Sequence, residues 1–318
     1  MFLAKPVLIV ALPLAAMMVA VIQKSDGPAK SESRLSEQTD AGLLESGKPT
    51  KVREITASNG EIKIVSYNIR YRCGEDLNEL VELFRKDPEI GNAVILGLQE
   101  VDRNKKRTGQ ANTARMIADA LGFNYAWAAP PAAKPTDEEE TGVAIMSPFP
   151  ISDIRRMVLP HEGPNRRKRV ALGATVRING KDFRVYSMHG ETRIAMNKKV
   201  EQMSTLVEDL KRFPESMPVV LVGDFNTWEG SAEGKTLKLF RDAGLYTPFG
   251  SQSTFKARVL FVPIEFRLDW VWLRGVQALT YGIDKKISLS DHYPLWANIK
   301  LLPDNEEARK TPEENNDL

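Results

Sequence analysis

The apolar positions of the chain fall into short runs rich in Val, Ile, Leu and aromatic residues, bounded by Gly, Pro, Asn and Asp. That is the pattern of strands buried in a sheet. Such runs are EIKIVSYNI (61–69), AVILGLQ (93–99), GVAIMS (142–147), RVALGATVRI (169–178), DFRVYSM (182–188), PVVLVGD (218–224), RLDWVWL (267–273) and PLWANIKL (294–301). Between them the repeat lengthens to the three-and-four spacing of an amphipathic helix at 76–86, 111–121, 194–213 and 231–243. In VRINGKDFRV the pair Asn179-Gly180 joins two runs and accepts positive φ at both positions, which predicts a type I′ hairpin. Interleaved strands and helices with such a hairpin predict a mixed α/β sheet protein rather than a purely parallel, doubly wound one. No internal repeat, G-x-G-x-x-G or phosphate-loop lysine motif occurs, which removes the common nucleotide-cofactor readings.

The two ends break this pattern. Lys5 precedes an apolar run over residues 6–22 that has no charge and no polar positions at helical spacing, so it reads as an export signal rather than a core helix. Its length lies between a signal-peptide core and the roughly 20 residues of a spanning helix. Met18 also stands where cleavage after Ala20 would want a small residue. Residues 1–23 are therefore expected to be a signal peptide or a retained anchor, with the protein extracytoplasmic: periplasmic, secreted or tethered through residues 6–22. Residues 24–58 are rich in Ser, Glu, Lys, Gly and Thr and read as a flexible linker, and 303–318 as a polar tail. One domain over 59–302 remains, expected as a monomer.

Composition narrows the chemistry. With 44 Lys+Arg against 42 Asp+Glu the formal net charge is +2, which excludes recognition by bulk charge alone. The single cysteine, Cys73, allows neither an intramolecular disulfide nor a Cys-based zinc site. A metal would have to be held by oxygen or imidazole, and only His161, His189 and His292 offer imidazole.

Polar residues recur where the apolar runs end: Asn68 in SYN, Glu100 in LGLQE, His189 in YSMH, Asp224 and Asn226 in VVLVGDFN, Asp269 in RLDW, and Asp291 with His292 in LSDHYP. Any one of them alone is ordinary turn chemistry. Together they are the parts that phosphodiester hydrolysis requires: a cation on the phosphoryl oxygens, a base for water, and donors for the developing charge. Carboxylate oxygens suit a hard ion such as Mg²⁺. An imidazole held by a carboxylate is a base near neutral pH.

The order SYNI, LQEVD, a strand ending in His, GDFN, RLDW and SDHYP, with QEVDRNKKRTGQANTARMIADALGF inside it, resembles the endonuclease/exonuclease/phosphatase superfamily. That group includes apurinic endonucleases, pancreatic-type deoxyribonuclease, bacterial sphingomyelinases, inositol polyphosphate 5-phosphatases and deadenylases. The resemblance implies a four-layer α/β sandwich, with two mixed, largely antiparallel sheets face to face, helices outside and a metal site at one rim. It implies Asn68, Glu100 and Asp291 around a Mg²⁺ ion, Mn²⁺ being the alternative. Asp224 and Asn226 fall on the family's Asp-x-Asn pair, His292 on its final catalytic histidine and Asp269 on the carboxylate that orients an imidazole. His189 stands where sphingomyelinases and pancreatic-type nucleases have His, and Glu140 matches an acidic partner of the last histidine. Two features depart from the pattern: the turn after His189 reads Gly-Glu-Thr, and Lys199 replaces a usual arginine.

Substrate is read from the rim. The basic clusters Arg103, Lys105, Lys106, Arg107 and Arg166, Arg167, Lys168, Arg169 would suit a phosphate polymer, whereas the acidic run 137–140 opposes one. Trp228 and Trp127 are the aromatics a lipid head-group enzyme would expose, although a core role is expected of each. The expectation is an exported, divalent-metal-dependent phosphodiester hydrolase. Nucleic acid ranks ahead of a phospholipid or sphingomyelin head group or an inositol phosphate. A non-catalytic envelope binding module would have lost site residues, and none is missing.

Overall fold

The computed structural model describes residues 40–51, 60–132, 140–228, 232–259 and 262–302. The expected leader (1–23), the tail (303–318), residues 24–39 and 52–58 of the expected linker and most of the acidic run lie outside them. Among the described residues no helix is long and apolar enough to cross a membrane.

The strands are β1 (Leu44–Gly47), β2 (Glu61–Asn68), β3 (Ile95–Arg103), β4 (Asn124–Ala128), β5 (Glu140–Ser147), β6 (Ile151–Val158), β7 (Val170–Ile178), β8 (Lys181–His189), β9 (Val219–Asp224), β10 (Phe255–Val259), β11 (Val262–Phe266), β12 (Asp269–Arg274), β13 (Val276–Ile283) and β14 (Leu295–Leu301). After a single helical turn at Asp40–Leu43, the helices are α1 (Gly74–Lys86), α2 (Thr113–Leu121), α3 (Met196–Leu210) and α4 (Ala232–Asp242). One sheet has the order β1-β4-β5-β3-β2-β14-β13, another the order β12-β9-β8-β7-β6, and β10 with β11 forms a separate hairpin. Each large sheet contains one parallel pair, β2 with β3 and β8 with β9, and every other neighbour is antiparallel. The parallel pairs are joined through α1 and α3, because strands running the same way need a crossover of helical length.

Alternation along the strands sorts side chains into the layers. Val271 and Leu273 of β12 join Ile64, Ile95, Val143, Ile145, Leu172, Val185, Val220 and Val222 between the sheets. Trp270 and Trp272, stacked at 5.2 Å, face outward under α3 and α4. Leu77, Leu80, Val81 and Phe84 of α1 and Ile117 and Leu121 of α2 cover the outer face of the other sheet. Helix, sheet, sheet and helix give the four-layer sandwich. Glu75 and Asp76 in the first turn of α1 and Arg85 and Lys86 in its last complement the helix dipole. Asn112 caps α2 by accepting from the Arg115 N–H, and Gly122 closes it at φ 72°.

The sheets approach closely at Gly97, where an added Cβ would stand 2.2 Å from Cγ2 of Val222. Gly97→Ala is therefore expected to cost about 1–3 kcal/mol by overpacking. A urea midpoint equal to that of the parent would refute this.

Two of the elements absent from the sequence reading share a physical cause. β6 and β13 are sheet edges, so much of each faces solvent and their apolar alternation is diluted. The expected linker ends sooner than composition indicates: Leu44–Gly47 pair antiparallel with β4. Glu45 accepts hydrogen bonds there from Arg103, Asn112, Arg115 and Tyr125. Those partners are distant in sequence, which is why local composition hides the strand. The Asn179-Gly180 hairpin has φ of 50° and 83°, as its residues require.

Candidate active site

Topology gathers one rim. Carboxyl ends of the parallel strands β2, β3, β8 and β9 carry Asn68, Glu100, His189 and Asp224. Antiparallel neighbours bring their amino ends to the same place. Asp269 opens β12 directly opposite Asp224, the segment 290–294 leads into β14 beside the end of β2, and Arg169 precedes β7, whose Val170 faces His189. Ligands in α/β sheets bind at such carboxyl ends.

The buried Asp224 carboxylate is the hub. Its Oδ2 accepts from Asn68 Nδ2 at 3.1 Å and lies 3.5 Å from His189 Nε2 and 3.6 Å from His292 Nε2. Oδ1 accepts the Asn226 backbone N–H at 3.0 Å, an Asx turn that holds Asn226 at φ 54°. Burial pushes the Asp224 carboxyl upward, His292 opposes that and Asp269 adds to it. Asn226 Nδ2 donates to the Gly190 carbonyl at 3.1 Å, and the buried Lys199 ammonium donates to the Asn226 carbonyl at 2.6 Å. The lysine that departs from the family pattern thus clamps the GDFN turn.

His292 sits between carboxylates, with Nδ1 2.8 Å from Asp269 Oδ2. Burial works against its charge, but Asp269 and Asp224 outweigh it and raise His292 to about 10. The same Asp269 oxygen accepts the Thr254 hydroxyl at 2.7 Å, and Thr254 Oγ1 in turn accepts the Leu268 and Asp269 N–H groups. Phe255 packs edge-on against the imidazole at 4.9 Å. His189 has the opposite surroundings: burial first, then Arg169, His292 and Arg167, hold it well below its ordinary value.

Glu100 leaves its strand at a bulge, with φ 56°, and the ladder to β5 resumes at Val101. Bulges re-aim side chains in this way. Among the described residues no hydrogen bond or salt bridge reaches the half-buried Glu100 carboxylate. The loop after β2 ties the remaining groups together. The Arg70 N–H donates to Asn68 Oδ1 at 3.1 Å, its guanidinium lies 3.2 Å from Asp291, and the Tyr71 N–H donates to the Glu100 carbonyl. Asn68, Glu100 and Asp291 each offer oxygen, and the unbonded Glu100 carboxylate has the donor chemistry that a hard divalent cation takes. Asp224, Asp269 and His292 also present atoms within 4.8 Å of one another. There, however, the His292 Nδ1 and Asp269 Oδ2 are already committed to a mutual hydrogen bond.

Several expectations are corrected. Glu140 does not approach His292; it binds Arg103 with Nε to Oε2 at 2.6 Å. Arg103 also bonds Glu45 and packs on Trp127, while Arg107 holds the buried Asp102 and stacks on Tyr71 at 3.5 Å. The first basic cluster therefore spends both arginines on internal contacts. In the second, Arg167 and Arg169 bind Glu191 and Lys168 binds Glu162. Arg166 is exposed and has no ion pair among the described residues. Trp127 is buried as expected, but Trp228 is 39% exposed at the rim, with the Lys199 ammonium 5.3 Å from its ring. Thr254 gave no sequence signal, since its role exists only through the fold. Glu191 had one, in the unusual Gly-Glu-Thr turn.

The profile of the Endonuclease/Exonuclease/phosphatase family matches residues 65–292. The uncharacterized protein YbhP of Escherichia coli (strain K12) is 29% identical over 170 residues, spanning 52% of this chain and 64%, just under two thirds, of that relative. An endonuclease/exonuclease/phosphatase from Beutenbergia cavernae DSM 12333 superposes with a TM-score of 0.62 at 16% identity, over 76% of this chain and 72% of that one. The human Nocturnin catalytic domain, solved with a bound sulfate anion, gives 0.61 at 16% identity, over 78% and 96%. At these identities the likeness to solved structures is one of fold.

Proposed function

This chain belongs to the Endonuclease/Exonuclease/phosphatase family, hydrolases of phosphoester bonds, and on that premise we propose that it is a divalent-metal-dependent phosphodiesterase with a nucleic-acid strand as its favoured substrate. The observation that carries the reading is the rim itself, where hydrogen bonds and ion pairs join Asn68, Asp224, Asp269 and His292 into one buried set beside Glu100 and Asp291. A Mg²⁺ or Mn²⁺ ion held by Asn68, Glu100 and Asp291 would neutralise charge on the phosphoryl oxygens. Asp224, pushed upward by burial, is the acceptor for a proton from attacking water. His292, kept charged by its two carboxylates, is then a donor to the phosphoryl group rather than the base that an isolated imidazole would be. Asn226 and His189 add neutral donors.

Nucleic acid ranks first because the exposed Trp228 at the rim, with the Lys199 ammonium 5.3 Å from its ring, suits a stacked base. Trp228 is also what favours the second reading, a phospholipid head group, since interfacial docking uses amphipathic aromatics. The test is a metal-supplemented panel of single- and double-stranded DNA, RNA, sphingomyelin vesicles and inositol phosphates. Nucleic-acid cleavage that stops in chelator and returns with Mg²⁺ or Mn²⁺ supports the proposal, and full turnover in excess chelator refutes it. On duplex DNA each phosphate contact contributes a slope of about −0.9 in log affinity against log salt. Arg166→Ala is expected to flatten that slope, and Arg103→Ala, already committed to Glu45 and Glu140, to leave it unchanged. Activity confined to lipid vesicles would promote the second reading. Export belongs to the same proposal and is carried by residues 6–22; a full-length chain found soluble in the cytoplasm would refute it.

A further inference from the structure

Glu191 is a fully buried carboxylate that the hydrolase reading leaves unused. Arg167 donates to it through Nε at 2.9 Å and Nη2 at 2.5 Å, Arg169 through Nε at 3.2 Å, and the Arg193 backbone N–H at 3.1 Å. Its own N–H donates to Gln202 Oε1 of α3 at 2.9 Å. A buried charge held this firmly orders whatever its partners touch. Arg169 touches His189: Nη1 lies 3.2 Å from Nδ1.

A guanidinium has five donors and no acceptor. The His189 Nδ1 must therefore present a lone pair, and the single ring proton sits on Nε2, facing Asp224 Oδ2 at 3.5 Å. His292 is the converse, because its Nδ1 faces a carboxylate and must carry hydrogen. Partners of opposite kind at the same ring atom assign the two imidazoles opposite forms.

Resting on the hydrolase reading, we propose that Glu191 and Arg169 are positioning residues that lock His189 in the Nε2–H tautomer, so that His189 serves the site as a hydrogen-bond donor and not as its acid or base. The lock joins two loops, the one before β7 and the one after β8. It is where this sequence departs from its family's usual turn. Gly163 leaves room for it: a Cβ there would stand 2.4 Å from the Glu191 carboxyl carbon and 2.6 and 2.8 Å from its oxygens. Gly163 has φ −80°, so an alanine would fit the backbone and disturb only the carboxylate.

The experiment uses the full chain labelled with ¹⁵N-histidine, without metal or substrate, and reads each ring nitrogen as protonated or not by long-range proton–nitrogen correlation. With only three histidines, His161→Gln and His189→Gln assign the spectrum. The parent is expected to show His189 protonated at Nε2 alone. Arg169→Met should mix the tautomers and Arg169→Lys should restore the Nε2–H form. Glu191→Gln and Gly163→Ala, which retain the arginine, should give intermediate mixtures and secure the result if Arg169→Met does not fold. In steady state, Arg169→Met should lower kcat about tenfold to a hundredfold with KM little changed, as misplacement of one group would. A parent His189 protonated at Nδ1, or the parent tautomer persisting in folded Arg169→Met and Glu191→Gln, overturns the proposal. Because the tautomer is read without turnover, a failed activity panel leaves it standing, and its own failure leaves the hydrolase reading intact.

Discussion

His292→Ala is expected to lower turnover by on the order of a hundredfold or more, the range for a lost donor or proton-transfer group at a developing charge. The imidazole has three polar neighbours: Asp269 at 2.8 Å on Nδ1, and Asn68 Nδ2 at 3.5 Å and Asp224 Oδ2 at 3.6 Å on Nε2. Its removal takes away the cation between two buried carboxylates, so the remaining pair would repel and hold a proton more tightly. Asp224 would then be a poorer acceptor at neutral pH. Steady-state kinetics of folded protein check the loss. His161, on the surface against Glu201 at 2.5 Å, should tolerate alanine. Equal losses at both positions would contradict the assignment.

The residues at this rim were legible because each borders a strongly apolar run, and a polar residue there can only be a turn or a site. Eight such residues in family order favour a site over eight turns. Pairings were legible only through the resemblance, which gave Asp269 an imidazole to orient, as found, and Glu140 the last histidine, which it does not reach. Nothing local distinguishes Glu140, which binds Arg103, from Asp269, which binds His292, since the difference arises from sheet register: Arg103 faces Glu140 across β3 and β5, and Asp269 faces Asp224 across β12 and β9. The basic clusters misled for the same reason. A run of arginines reads as a solvated or ligand-facing strip, yet Asp102 and Glu191, both buried, each need cations from it. Lys199 shows the converse, a lysine on the buried stripe of α3 whose ammonium has gone to the Asn226 carbonyl.

Glu100→Gln is the change expected to separate metal binding from fold. The Glu100 side chain stands at a bulge in a strained backbone conformation and has no hydrogen bond or salt bridge among the described residues. Removing its charge therefore breaks no hydrogen bond or salt bridge and gives up only the longer-range attraction of Arg70, Arg107 and Arg169. Without metal, the variant should unfold close to the parent's midpoint. With Mg²⁺ or Mn²⁺ the two should separate. A ligand that binds only the folded state stabilises it by RT ln(1 + [L]/Kd), about 2.7 kcal/mol at a hundredfold excess over Kd. The parent should show that gain, and Glu100→Gln should lose about half of it for a tenfold fall in affinity and most of it for a hundredfold fall. Titration calorimetry and thermal unfolding with and without metal measure both sides. A variant that keeps the parent's metal-dependent shift would remove Glu100 from the ligand set. A variant that is unstable without metal would show that the carboxylate supports the fold instead.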